Sequence, residues 1–193
     1  MLRLARMGLL LPTLKKTLRL QNRYPKRPRL GKKLEFPWQE YPGYNCFACC
    51  SRNAHGLKIE FFETEDADLA CYWTAQGPFE NYPGMVHGGL IATALDELMS
   101  LALFHRVEHF PVTIQAEFQW LKGIKIGESL TGSAIFKRKW KGFYQLESFL
   151  FKENGKIAAT SKGLYFTPSL RRFKKLADLD DIPAEYEKYF ATR

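Results

Sequence analysis

Two hydrophobic patterns alternate along the chain, and each predicts a different element. From Leu90 to Phe104 the residues LIATALDELMSLALF are apolar almost all round, broken by Thr93, Asp96, Glu97 and Ser100. Most are good helix formers, which predicts a buried helix over 90–104. Stretches 57–62, 69–74, 111–121, 128–140, 143–152 and 156–167 are instead rich in β-branched and aromatic residues between turn residues. They predict strands. Lys122-Gly123 with Ile126-Gly127, then Lys141-Gly142 and Asn154-Gly155, read as hairpin turns. Strands, one long buried helix and a further run of strands make an α+β layer arrangement.

Outside 45–168 this patterning dissolves. Segment 2–20 sets Leu2, Leu9, Leu10, Leu14 and Leu18 against Arg3, Arg6, Lys15, Lys16 and Arg19, with Pro12 interrupting. It reads either as a basic amphipathic segment on an anionic membrane surface or a partner, or as an arm packed on its own domain. Pro25, Pro28, Pro37 and Pro42 mark 24–42 as an irregular linker. The expected organisation is a basic arm and Pro-rich linker over 1–44, one domain over 45–168, and a C-terminal extension over 169–193 with a short helix at 184–190.

Charge sharpens that division. The net charge is +9, yet residues 1–33 hold eleven of the 29 Lys and Arg and no acid, leaving 18 basic against 20 acidic residues. The domain itself is nearly neutral, which argues against nucleic acid as a partner. Four cysteines, Cys46, Cys49, Cys50 and Cys71, accompany no recognisable signal peptide and no apolar run long enough to span a membrane. A reduced, cytoplasmic protein with free thiols is expected. Cys46, Cys49, Cys50 and His55 crowd one loop and invite a zinc reading. No second Cys or His pair completes a site elsewhere, so neither metal nor cofactor is expected.

The chemistry concentrates where the helix begins. Pro83-Gly84 is a turn signal, and His87-Gly88-Gly89 can bring backbone N–H groups close to a ligand at a helix N-terminus. Asp96 and Glu97 then interrupt an apolar helix, where a carboxylate is costly unless paired or used. Successive helix residues point about 100° apart, so only one of the two faces a given cleft.

Asn81, His87-Gly88-Gly89 and the acid nine residues after the His resemble the signature of hotdog-fold acyl-CoA thioesterases of the phenylacetate-pathway (PaaI-like) type. The resemblance covers roughly 45–167, including a Cys-Phe-x-Cys loop before the first strand. It implies an antiparallel sheet wrapped around the central helix and a homo-oligomer, a dimer or dimer of dimers, with His-Gly-Gly of one subunit facing the acid of the other. It selects Asp96 as general base or nucleophile and Gly88 or Gly89 as donor to the thioester oxygen. Asn81 would position water, His87 would shape the turn or orient the carbonyl, and Thr113 would bring a hydroxyl near the acid. The substrate would be an acyl-CoA with a hydrophobic or aromatic chain. Lys137, Arg138, Lys139 and Lys141 could meet its phosphates or form a solvated strand end. The alternatives are a hotdog hydratase or dehydratase and a non-catalytic acyl-CoA or lipid-binding module.

Overall fold

The computed structural model describes residues 24–192, so the amphipathic pattern at 2–20 lies outside the described residues. Seven strands form one antiparallel sheet: β1 (Lys33–Leu34), β2 (Glu60–Phe62), β3 (Leu69–Thr74), β4 (Val112–Trp120), β5 (Ser129–Trp140), β6 (Phe143–Lys152) and β7 (Ile157–Phe166). Their spatial order is β1-β2-β3-β5-β6-β7-β4. Helix α1 (Gly88–Val107) lies against one face. The α+β expectation holds: this is the hotdog arrangement of a sheet around a central helix.

Alternation along the strands explains that packing. Leu130, Ala134, Leu146, Leu150 and Ala159 are buried, and so are Leu95, Leu98, Met99 and Leu103 of α1. Ser148, on the same sheet face, donates its hydroxyl to Leu95 O at 3.0 Å, satisfying a polar group that would otherwise be costly there. The helix stops at Glu108, whose φ of 55° turns its N–H back to Phe104 O. His105 and Arg106 in the last turn complement the negative end of the dipole.

Two of the three expected hairpins form. Lys141 and Gly142 both have positive φ, the requirement of a two-residue turn matching strand twist, and join β5 to β6. Gly155, also at positive φ, lies between β6 and β7. The hairpin expected at 122–127 is corrected: β4 pairs with β7, while β5 pairs with β3 and β6. The intervening segment instead binds the turn before α1. Ile124 O accepts from Val86 N–H, and Ile126 N–H donates to Gly84 O, each at 3.0 Å, with the Ile124 side chain fully buried. A local turn signal lost to tertiary pairing that buried an isoleucine.

The stretch read as linker contributes packed structure. Strand β1 pairs with β2, and a 3-10 turn at Pro37–Glu40 seats Trp38. Trp38 meets Phe104 and Phe110 from around the C-terminal end of α1, and Tyr189 from the 3-10 turn at Ala184–Tyr189. Helix α2 (Leu170–Ala177) supplies Phe173 against Phe190. Both flanks therefore cover one end of the central helix. No helix among the described residues is long and apolar enough to cross a membrane.

Candidate active site

Asp96 sits on α1 where the helix meets the edge of the sheet. Its carboxylate accepts from Thr113 Oγ1 at 3.1 Å and from Tyr165 OH at 2.7 Å. Thr113 and Tyr165 are cross-strand partners on β4 and β7, so one register point supplies both donors. A bulge between Thr113 and Gln115 shifts the alternation there, which directs Thr113 to the helix side along with Ala116 and Phe118. Gly163 lies two residues before Tyr165, where a Cβ would strike the tyrosine ring. Burial, followed by the Asp96 charge, raises the Tyr165 phenol above its usual range and keeps it a donor. An ionised carboxylate is acceptor-only and takes both hydroxyls without conflict.

The other group of expected residues lies at the start of the same helix. His87 is the N-cap: its Nδ1 accepts from Gly89 N–H at 2.9 Å. That bond occupies the Gly89 donor and leaves Nε2 of His87 outward on an exposed residue. Gly88 N–H donates to no protein acceptor among the described residues. Its carbonyl receives Trp120 Nε1–H at 3.1 Å, and a Cβ on Gly88 would lie only 3.3 Å from that nitrogen. A side chain at Gly88 would therefore press on the indole resting there, while the glycine's φ is ordinary. Asn81 belongs to the preceding turn, where its N–H donates to Met85 O at 2.8 Å; its side chain is exposed.

The expected residues therefore form two groups, Asp96 with Thr113 and His87 with Gly88 and Gly89. The helix rises 1.5 Å per residue, which separates Gly88 from Asp96 by about 12 Å along its axis. One carbonyl cannot touch both within a single chain. Around the two groups the surface is apolar and open: Tyr82, Met85, Ile114 and Trp120 are all exposed. A groove lined by Glu117, Gln119, Thr160 and Lys162 is on the opposite face of the sheet from Asp96. Sequence reasoning missed Tyr165. It looks like any strand aromatic, and only the β4–β7 register distinguishes it.

Glu97 points away from this site, toward the cysteine loop. Cys46 Sγ lies 3.6 Å from Glu97 Oε1, while Tyr44 OH is 2.9 Å from Cys49 Sγ. Burial, then the nearby Cys46 sulfur, pushes the Glu97 carboxyl up to about 8. Cys50 and exposed His55 are not in that group. Among the four basic candidates for phosphate contact, Lys137 pairs with Glu147 at 3.4 Å and Arg138 donates to Gln145 at 2.8 Å. Lys139 and Lys141 sit over the rings of Tyr144 and Trp140. All four are exposed side chains engaged on their own hairpin.

Residues 83–159 match the family model of the thioesterase superfamily. No curated protein matches the chain. Among solved structures the chain is similar to the E. coli PaaI protein from the phenylacetic acid degradation operon (18% identity, 57% of this chain and 79% of that one, TM-score 0.53). It is also similar to zebra fish thioesterase superfamily member 2 (21% identity, 56% and 80%, TM-score 0.52). A third is a hypothetical thioesterase from Streptococcus pneumoniae with coenzyme A (19% identity, 56% and 86%, TM-score 0.52). At these identities the likeness is one of fold.

Proposed function

We propose that this chain, whose residues 83–159 match the model of the thioesterase superfamily, hydrolyses an acyl-CoA thioester to the free acid and CoA. The observation that carries the reading is the carboxylate of Asp96, held by the hydroxyls of Thr113 and Tyr165 at an open apolar edge. Held so, it acts as general base or as nucleophile. As base it takes a proton from water while the water oxygen bonds to the thioester carbon. The carbon–sulfur bond then breaks, and the CoA thiolate leaves and is protonated. Charge developing on the carbonyl oxygen needs a donor, and Gly88 N–H is the available one because Gly89 N–H is used by His87.

The separation of about 12 Å along α1 favours a site shared by two subunits, with Gly88 of one facing Asp96 of the other. The exposed apolar strip from Met85 to Trp120 and Ile114 along β4 is the surface such a partner would cover. Asn81 would then hold water from the same turn, and His87 would orient the carbonyl through its outward nitrogen. The similar Streptococcus pneumoniae fold, solved with coenzyme A, makes CoA thioesters the substrate class to try first. A panel of saturated acyl-CoA substrates, from acetyl to long-chain and aryl, with detection of free thiol, tests the reaction. Saturated chains give a hydratase nothing to act on. Asp96→Asn should lower turnover by about two or more orders of magnitude with the fold intact by circular dichroism. No thiol release from any member of the panel would end the proposal.

A further inference from the structure

Strip away the active site and one group of reactive side chains remains unexplained. Residues 44–59 fold back on themselves: Cys50 N–H donates to Cys46 O at 3.2 Å, and Ile59 N–H donates to Ala48 O at 2.9 Å. This tight turn holds Cys46 and Cys49 side by side, and Ala48 N–H points at Cys46 Sγ from 3.4 Å. Glu97 reaches the pair from α1, 51 residues away from Cys46 in sequence. Cys46 Sγ, Cys49 Sγ and a Glu97 oxygen all lie within 4.8 Å of one another. Among the described residues no Lys, Arg or His forms an ion pair with Glu97. Three potential anions thus converge in a partly buried place with no cation paired to them among the described residues, which is costly unless protons or a metal ion neutralise them.

We infer that Cys46, Cys49 and Glu97 form a site for a thiophilic divalent cation, zinc foremost, that ties the cysteine loop to the central helix. Tetrahedral zinc with thiolate bonds of about 2.3 Å and a carboxylate bond of about 2.0–2.2 Å needs ligand atoms about 3.5–3.8 Å apart. The Cys46–Glu97 distance of 3.6 Å is already of that size. Two thiolates select zinc over magnesium or calcium. Water completes the fourth position on the half-buried side of Cys46. Ala48 N–H and Tyr44 OH are the outer partners, one aimed at each sulfur, that support thiolate ligands. Binding displaces whatever protons the ligands carry. The expectation of no metal rested on the lack of a second ligand pair in the sequence; a single glutamate from the helix answers it. The site stands apart from the thioester reading, since none of its ligands is a hydroxyl partner of Asp96.

The test uses the full chain, reduced and freed of metal with a chelator, and titrated with cobalt(II) and then zinc. One equivalent per chain should bind, with a thiolate-to-cobalt charge-transfer band that zinc abolishes. Zinc should also raise the melting midpoint. Cys46→Ser and Cys49→Ser should each abolish the band, Glu97→Gln should weaken binding at least tenfold, and Cys50→Ser should leave all three readouts unchanged. Serine is nearly isosteric, and half-buried Cys46 gives a variant that can be checked as folded even if Cys49→Ser is not. A folded, reduced wild type with no band and no zinc-dependent shift overturns the site. So does unchanged affinity in Glu97→Gln, or a Cys46–Cys49 disulfide in freshly isolated protein.

Discussion

At the scale of single residues, Tyr165 is the instructive case. Its hydroxyl makes the shorter of the two bonds to Asp96, 2.7 Å against 3.1 Å from Thr113. Under the proposed reaction it is a positioning residue, since it holds the carboxylate and is itself fully buried. A hydrogen bond to a charged group contributes about 1.5–3 kcal/mol. Tyr165→Phe should therefore lower kcat by about tenfold or more while leaving KM within about twofold, because substrate contacts are unchanged. Thr113→Ser, which keeps its hydroxyl, should stay close to wild type. A lowered melting midpoint with kcat per folded molecule unchanged in Tyr165→Phe would mark the tyrosine as packing only. Gly88 makes the complementary point. Its lack of a side chain leaves room for the Trp120 indole, whose Nε1–H donates to the Gly88 carbonyl.

Elements place these residues, and β4 does most of that placing. It is the last strand of the sheet, bonded to β7 alone, and its bulge turns Thr113 toward Asp96. An edge strand with exposed Ile114 and Trp120 is an invitation to association. A charge at such an edge is the usual way to block it. Ile114→Lys should shift the chain toward monomer in sedimentation and lower turnover in step, since each site would draw on two subunits. If a monomeric Ile114→Lys protein turns over at the wild-type rate, the site is complete within one chain and the shared arrangement fails. The helix contributes by periodicity: adjacent acids leave it about 100° apart, Asp96 to the sheet edge and Glu97 to the cysteine loop.

The whole molecule is held at the C-terminal end of α1 by residues from both chain flanks. Phe36, Trp38, Phe104, Phe110 and Tyr189 form a cluster of mostly edge-to-face rings, with centroids as close as 4.3 Å. Trp38→Ala should lower the unfolding free energy in urea by about 3–5 kcal/mol, the range for deleting a buried large aromatic. Further out, Tyr24 meets the Phe149 ring at 5.9 Å, and Arg27 donates to Thr131 at 2.9 Å. Removing residues 1–33 should lower the melting midpoint by about 2–4 °C, as a loss of about 1 kcal/mol would. An unchanged midpoint in that truncation would mean these contacts are of no consequence.

Local pattern alone determined much of this protein. The apolar run 90–104 and the β-branched stretches from 111 onward have their period written in the order of residues, so the helix and four of the long strands were legible. The acid nine residues after His87 was legible too, but through the motif's resemblance to the thioesterase signature, since helix spacing alone left Asp96 and Glu97 open. Tertiary structure decided what depends on contacts between distant segments. Whether 122–127 turns back or crosses over rested on where Ile124 could be buried. Trp38, in a proline-rich stretch without periodicity, became core only because both flanks meet at one helix end. Tyr165 and Thr113 reach one carboxylate, and Glu97 reaches two thiols, through strand order and helix facing. A single residue's neighbours along the chain carry no record of either.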